Sequence, residues 1–489
     1  MNHMKNIFQS FRYKALTAVL MLSASACTEK FDELNTNPNA PSVATADLFL
    51  PHGIQSAVDA YWGGSLGMDI GDLISQYWAR IQYTDIDQYS ISSDVYSGAW
   101  QTFHVEALAD YQRIYKLGVE TKNPNYQAVA LIMRSWVFSL LTDIYGDIPY
   151  MQSIQGLEGI LQPKYDTQKE VYAGIIKELK TANDMIETAD KTKSISGDIL
   201  FANDMTKWKK FANSLSLRLL NRMLSKADAA MDVKTEINRI LSDPAKYPVI
   251  GTVSETIQLN YLDATNNNNP INQNRKTRDD HRVSATLVNK LAALKDARLA
   301  VYADRPADGG DYKGVPNGLS NADANALGLS KTSKVGAFFV GPTAPGVILS
   351  YAELLFIKAE LAYKGITAAG DAATNYANGI TASHSQYKLT VSPEYLAANA
   401  FKTGTEGYKQ IMEQKWIALY GQGIEAWTEF RRTGYPELKP SVINVNGGVI
   451  PTRLPYPGSE ESLNFTNFSA ALKQQGGAND MKLKLWIAK

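Results

Sequence analysis

The longest apolar stretches of the chain repeat at helical spacing. Gln127 to Thr142 is apolar on every side, which is typical of a helix buried in the centre of a bundle. Thr167 followed by Glu170 is a capping-box signal, and apolar residues then recur every three or four positions as far as Ile186. This pattern predicts two long helices.

Further helices are predicted along both halves of the chain. One is expected near 206–225, and Ser350 with Glu353 forms a second capping-box signal before the segment YAELLFIKAELAY. Two more helical candidates are EGYKQIMEQKWIALYGQG and EAWTEFRR. No fixed period is evident, but helix pairs of this length are compatible with degenerate tetratricopeptide units. The predicted fold class is mostly α.

Polar chain rich in Asn and Gly separates the helical blocks, notably at 260–282 and 303–334. Long loops in a compact domain usually carry function. The loop at 263–280 is bounded by Tyr261 and by an apolar helix starting near Val283. We therefore predict an ordered loop that faces a ligand, with a disordered insertion as the alternative.

The N-terminus has the layout of a secretory signal peptide. Lys5, Arg12 and Lys14 precede an apolar run, at 15–22, that small residues close at 24–26. The run is shorter than the roughly 20 residues of a membrane span. We predict a signal peptide at 1–26 and, because TEKFDELNTNPNAPSV lacks helical periodicity, an extended tether at 27–43.

Cys27 is the only cysteine in 489 residues and directly follows the small residues of the cleavage site. A bacterial lipoprotein carries its lipid on a cysteine at this position, so we predict that Cys27 is lipidated and anchors the protein. The usual leucine three residues earlier is replaced by Ala24. Cleavage by ordinary signal peptidase, without lipid, is the alternative.

Residues 44–489 are predicted to form one domain, because no Pro/Ser-rich linker divides them. Its helical scaffold is expected mainly at 44–240 and 350–435, with a loop-rich region at about 241–345. Removing 1–26 takes away three of the 49 basic residues and none of the 49 acidic ones, leaving a formal charge of −3. Without a basic excess, no nucleic-acid partner is expected.

Two segments have the composition of a binding site for sugars, which present apolar faces beside hydroxyl groups. The first, QYWARIQYTDIDQY, offers as candidate ligand residues Trp78, Arg80, Tyr83, Asp85 and Tyr89. The second, NNNNPINQNRKTRDD, offers Asn268, Asn269, Arg275, Arg278 and Asp279. Trp78 suits the core equally well, whereas the two tyrosines are expected to be exposed stacking platforms because their neighbours are polar.

Catalytic chemistry is less well supported. The histidines outside the signal peptide are scattered, no cofactor fingerprint is present, and no metal site is predicted. Gly63 to Gly67 matches GxSxG, but no apolar strand precedes it, so we predict a turn. A hydrolase with two carboxylates is the alternative class, although spacing alone points to no pair.

Charged residues at helical spacing indicate internal ion pairs. Arg218 and Arg222 share one helical face, and Glu353 and Glu360 share a face of another helix. We expect buried structural ion pairs from both sets.

Nine segments, in order along nearly the whole chain, resemble signatures of the SusD/RagB family. In the N-terminal half they are FDELNTNPNAPS, RSWVFSLLTDIYGDIPY, PKYDTQKEVYAGIIKEL and KWKKFANSLSLRLLNR. In the C-terminal half they are DARLAVYA, YKGVPNGL, YAELLFIKAEL, QKWIALYGQGIEAWTEFRRTGYP and IPTRLPYPGSEESLN. The specificity of the resemblance lies in the ordered set.

The resemblance implies a helical fold with tetratricopeptide-like helix pairs and a more irregular ligand-binding lobe. It also implies an outer-membrane lipoprotein that faces the cell exterior in the family's manner, needs no cofactor and performs no chemistry. Its expected partner is a SusC-like TonB-dependent transporter, to which it would deliver oligosaccharides. Capture of peptides by the same fold, or glycoside hydrolysis, are the alternatives.

Overall fold

The computed structural model describes residues 45–190 and 192–489. The predicted signal peptide, the tether and Cys27 lie outside the described residues. In the first half, the α-helices of the described residues are α1 (Ala46–Trp62), α2 (Ser93–Gln101), α3 (Ala109–Glu120), α4 (Pro124–Tyr145), α5 (Gln168–Thr188), α6 (Met205–Met223) and α7 (Val233–Ser242). The second half contains α8 (Pro270–Arg275), α9 (Ala285–Leu294), α10 (Leu299–Tyr302), α11 (Asn321–Leu327), α12 (Ala337–Val340), α13 (Tyr351–Tyr363), α14 (Ala372–Ser385), α15 (Pro393–Ala398), α16 (Gly404–Ala418), α17 (Gly423–Thr433), α18 (Gly458–Leu463) and α19 (Phe465–Gln475).

Helix α4 is the predicted central helix and is apolar on all sides. The Asn123 side chain caps it by accepting from the Asn125 N–H, and Pro124 occupies its first turn, where a missing N–H costs nothing. It is long and apolar enough to cross a membrane, but 94% of its most apolar window is buried inside the protein. Helices α3 and α5 pack along it, so its apolar surface belongs to the core.

The predicted capping box at Thr167 is confirmed. The Glu170 N–H donates to Thr167 Oγ1 at 3.4 Å, and the Thr167 N–H donates to Glu170 Oε2 at 2.9 Å. Helices α5 and α6 pack together, as do α13 and α14, which gives the mostly helical architecture of consecutive pairs. At Ser350 the hydroxyl accepts from the Glu353 N–H, while the Glu353 carboxylate turns towards another helix.

The buried ion pairs expected from the sequence are present and join four helices. Arg218 on α6 binds Glu353 on α13 through two bonds of 2.7 and 2.5 Å. Arg222, one turn further along α6, lies between Asp143 on α4 and Glu425 on α17. All five side chains are at most 2% exposed, so each charge depends on its partner for solvation.

Two short antiparallel strand pairs stand beside the helices. Strand β1 (Trp78–Arg80) pairs with β3 (His281–Val283), and β2 (Ile257–Leu259) pairs with β4 (Gly346–Leu349). The predicted loop at 260–282 thus contains helix α8 and reaches β3. Residues 46–489 form one compact unit.

The GxSxG segment follows α1 and begins a π-helix, Gly64–Asp72, so it is helical and not the turn we predicted. Helix α1, and not a strand, precedes it. A Cβ atom on Gly67 would lie 2.5 Å from the Tyr61 carbonyl oxygen, which explains the glycine there. The strand that a nucleophile elbow requires is therefore missing from this position.

Candidate functional site

The β1–β3 pair brings together the two segments that the sequence singled out. Arg80 lies opposite His281 in the register of the pair, and the Ile81 N–H donates to the Asp280 carbonyl at 2.8 Å. The loop after β1 and the loop before β3 therefore leave the strands side by side. Residues 200 positions apart in sequence meet at one surface.

A series of ion pairs, which we call the charge ladder, links one segment to the other. Arg80 binds Asp69 and, at 2.9 Å, Asp280. Asp280 Oδ2 also accepts from Arg278 Nε at 2.8 Å. Arg80 is only 5% exposed, whereas the Arg278 side chain is 51% exposed. The buried arginine thus holds Asp280, which orients the exposed arginine.

Tyr83 stands at the outer end of this ladder. Its side chain is 63% exposed, and the Arg278 guanidinium carbon lies 5.4 Å from its ring centroid, within the range of a cation–π contact. Tyr83 has a φ of 53°, a left-handed conformation that is uncommon for an aromatic residue. A strained, exposed aromatic held beside an arginine is a feature of binding surfaces.

Asp279, next to Asp280 in sequence, binds cations other than Arg80 and Arg278. Its carboxylate accepts from Arg275 at 3.0 Å and from Lys334 at 3.1 Å, and it remains 42% exposed. Asp85, two residues after Tyr83, is also exposed. We call Tyr83, Asp85, Arg278 and Asp279 the Tyr83 surface. Within it the contact between Tyr83 and Arg278 is direct, and Asp85 and Asp279 adjoin these two residues in sequence.

Asp87 fixes the loop that carries Tyr83. Its buried carboxylate accepts from the Arg80 N–H at 3.1 Å, the Gly318 N–H at 3.0 Å and Asn317 Nδ2 at 2.8 Å. Burial raises the pKa of Asp87 to about 6, although these hydrogen bonds act in the opposite direction. The loop is therefore tied to the strand behind it and to the segment at 317–318.

Asp69, beneath the surface, is held in the ionised form. Burial acts to raise the pKa of Asp69, but the hydrogen bond from His281 and the charge of Arg80 outweigh it and keep that pKa below its ordinary value. Burial lowers the pKa of His281 to about 4, so its ring is neutral near pH 7. Because an ionised carboxylate only accepts, Nε2 of His281 carries the proton that points to Asp69 at 2.9 Å.

Four of the predicted ligand residues turn inward. Trp78 is fully buried, and its indole N–H donates to the Tyr420 hydroxyl at 2.9 Å. Of the two roles that suit its sequence, this tryptophan therefore has the core role and not ligand contact. Tyr89 is 2% exposed and lacks the exposed ring that we expected. Its hydroxyl accepts from the Ser441 N–H, which anchors it inside.

Asn268 and Asn269 also serve the fold. Asn269 caps α8 by accepting from the Ile271 N–H at 2.8 Å and donates to the Ala344 carbonyl at 2.9 Å. Asn268 binds Asn272 at 2.6 Å. Both are at most 5% exposed. Arg80 and Arg275 are largely enclosed as well and support the surface from below.

Some residues around the Tyr83 surface could not be predicted from the sequence. Asp69 and Asp280 complete the charge ladder, but nothing in the local pattern around the GxSxG segment marks Asp69 as a partner of β1. Val442 and Val445 are 69% and 65% exposed on a segment that bonds through its backbone to Asn317 and Gln88. These two exposed valines lie beside the loop of Tyr83 only in the folded chain, because they are far from it in sequence.

No group of three or more His, Cys, Asp or Glu side chains among residues 45–190 and 192–489 is arranged to hold a metal ion.

Comparison with solved structures finds close likeness over nearly the whole fold. A chitin-binding protein superposes with a TM-score of 0.80 at 26% identity, covering 91% of this chain and 100% of that one. A SusD homologue from Bacteroides uniformis gives a TM-score of 0.79 at 25% identity with the same coverage. A proposed outer-membrane protein from Bacteroides vulgatus, associated with nutrient binding, gives 0.76 at 27% identity, again covering 91% and 100%.

The comparison with curated proteins found no match. The sequence model of a SusD-like family, described as starch-binding and associating with the outer membrane, matches residues 38–457. The match covers most of the chain, and the solved relatives share its helical architecture. This protein therefore belongs to the SusD-like family.

Proposed function

We propose that this protein is a lipid-anchored outer-membrane receptor that captures oligosaccharides at the Tyr83 surface and passes them unaltered to a TonB-dependent transporter. The observation that carries the proposal is the exposed Tyr83 ring beside Arg278, backed by the ladder through Asp280 and Arg80. A sugar ring can stack on the tyrosine while its hydroxyl groups bond to the arginine and to Asp279.

The family description and the chitin-binding relative support a glycan ligand. The state of the carboxylates supports binding without hydrolysis. Burial acts to raise the pKa of Asp279, but contacts with Arg282 and Lys334 keep it below its ordinary value, as His281 and Arg80 do for Asp69. A glycosidase needs one carboxyl group with a raised pKa as its general acid, and Asp69 and Asp279 do not meet that need. The pKa of Asp87 is raised, but this carboxylate is buried and hydrogen-bonded to the backbone of Arg80 and Gly318.

Calorimetric titration tests the ligand class. The purified protein is titrated with maltoheptaose, chitohexaose and a set of oligopeptides of mixed sequence. We expect saturable heat with an oligosaccharide, and we expect the sugar to be recovered intact after long incubation. Saturable heat with peptides alone would replace the glycan by a peptide ligand, and shortened sugar products would make the protein a hydrolase.

The transporter is tested separately from the ligand. We expect a TonB-dependent barrel to co-purify with the protein from native outer membranes, and we expect the Tyr83→Ala variant to retain it. Loss of the barrel on removal of Tyr83 would indicate that this surface contacts the transporter and not the sugar.

A further inference from the structure

A second cleft, of about 260 Å³, lies where the C-terminal segment meets helices α4, α5 and α19. Its walls come from five stretches of chain, namely 146–147, 167–169, Asp228, 474–475 and 484–486. None of these residues belongs to the Tyr83 surface. The cleft is smaller than the 300 to 1,000 Å³ typical of pockets for drug-sized ligands, so it suits a single ring-sized group.

Trp486 gives this cleft a fixed aromatic ring. The indole is partly buried, and its Nε1 donates to Asp228 Oδ1 at 2.9 Å. Its ring centroid lies 6.0 Å from that of Tyr172 in an edge-to-face contact, and the Lys226 ammonium lies 6.0 Å away. A ring held by three neighbours loses little conformational freedom when a ligand stacks on it.

The charges that line the cleft cancel. Asp147 and Asp228 carry two negative charges, and Lys169 and Lys484 carry two positive charges. Lys169 Nζ lies 3.8 Å from Asp228 Oδ2, a loose pair whose groups have room for other hydrogen bonds. The charges of the lining residues balance, and their mixed donors and acceptors match hydroxyl groups.

The geometry points to a second saccharide site, in which one neutral pyranose residue stacks on Trp486 and hydrogen-bonds to Asp147, Lys169 and the amide of Gln474. This site stands apart from capture at the Tyr83 surface and does not require it. Two separated contacts on one glycan chain would raise its overall affinity through effective concentration.

The indole signals of the protein labelled with ¹⁵N at tryptophan provide the test. The chain has eight tryptophans, and the Trp486→Phe variant identifies the signal of Trp486 by its disappearance. Glucose, galactose, mannose and N-acetylglucosamine are titrated one at a time. We expect at least one of them to shift the Trp486 signal in a saturable way.

Two variants check where the sugar lies. Gln474→Phe fills the cleft from an exposed position and should weaken the apparent affinity about tenfold, as expected when a stacking contact is lost. Phe465→Ala removes an exposed ring at the other end of the same helix and should change nothing.

Failure of this site and failure of the Tyr83 surface are distinguishable. If no sugar shifts the Trp486 signal, or if Gln474→Phe leaves the titration unchanged, the second site does not exist. A shift that disappears in Tyr83→Ala would equally overturn it, because the signal would then report binding at the first surface. A shift that persists in Tyr83→Ala supports the second site whatever the calorimetry finds.

Discussion

At the scale of single residues, Tyr83 and Tyr89 show how differently two similar positions can be used. Both have left-handed φ angles, of 53° and 67°, but Tyr83 is exposed and Tyr89 is buried. We expect Tyr83→Ala to weaken oligosaccharide binding by about 1 to 3 kcal/mol, as for loss of a stacking platform, without lowering the melting temperature. Calorimetric titration and thermal unfolding measure the two effects.

Tyr89→Ala is the matched control for this prediction. Removing a buried aromatic side chain costs about 3 to 5 kcal/mol, so this variant should lose stability. A fall in melting temperature for Tyr83→Ala, with unchanged affinity, would assign Tyr83 to the fold and remove the basis of the proposed site.

Asp87 should make stability depend on pH. Its pKa is about 6 in the folded protein against an ordinary value of 3.8, so the folded state binds the proton more tightly. The contribution of Asp87 to the free energy of unfolding is therefore greatest below about pH 4 and falls as pH rises through 6, by up to about 3 kcal/mol.

Denaturant unfolding of Asp87→Asn across pH 4 to 7 measures this contribution. The stability difference between wild type and variant should shrink, or reverse, towards pH 7. Asp85→Asn, at an exposed carboxylate in the same loop, controls for the loss of charge. A difference that stays constant with pH would contradict the prediction.

Local pattern could not separate the two tyrosines, because the contact that decides between them is distant in sequence. The Tyr89 hydroxyl bonds to Ser441, 352 residues away. Asn268 and Asn269 were similarly ambiguous, since asparagine caps helices as readily as it binds sugars. The exposed partner of Tyr83, Arg278, was predicted as a ligand residue, but its link through Asp280 to Arg80 depends on a strand pair that the sequence did not reveal.

At the scale of elements, the ion network between α4, α6 and α17 should stabilise the helical scaffold. Glu425 binds Arg222 and is 2% exposed, so its removal leaves a buried cation with fewer partners. We expect Glu425→Ala to lower the free energy of unfolding by about 3 to 5 kcal/mol. Denaturant unfolding followed by circular dichroism measures the loss.

The exposed pair between Lys116 and Glu158 is the control for the buried one. Glu158→Ala should leave the unfolding curve unchanged, because solvent already screens that pair. If the two variants unfold alike, the network contributes no more than a surface pair.

Helices could be predicted where their signals are local. The capping box at Thr167 and the all-round apolar pattern of α4 lie within one segment each, and both predictions are confirmed. Strands β1 and β3 have only three residues each and pair across 200 positions, so no alternation long enough to recognise exists in either. The segment that forms the π-helix at Gly64 was predicted as a turn, because glycine-rich sequence is more typical of turns than of helices.

At the scale of the whole molecule, the chain belongs to a family that is described as associating with the outer membrane. The resemblance of nine ordered segments identified the family from sequence, and the family comparison and solved relatives confirm it. Lipid attachment stays a prediction, because Cys27 lies outside the described residues.

Cys27→Ser tests the anchor in the intact cell. The chain has no other cysteine, so a thioether-linked lipid has no other site. We expect wild-type protein to incorporate an alkyne-labelled fatty acid and to sediment with outer membranes, and the variant to do neither. Several acyl chains, each contributing about 0.8 kcal/mol per buried methylene, make the attachment of the wild type stable.

Tyr83→Ala should behave as wild type, which separates anchoring from ligand capture. Retention of label by Cys27→Ser would place the lipid elsewhere, whereas a wild type without label would show that cleavage at 26 leaves a plain secreted protein.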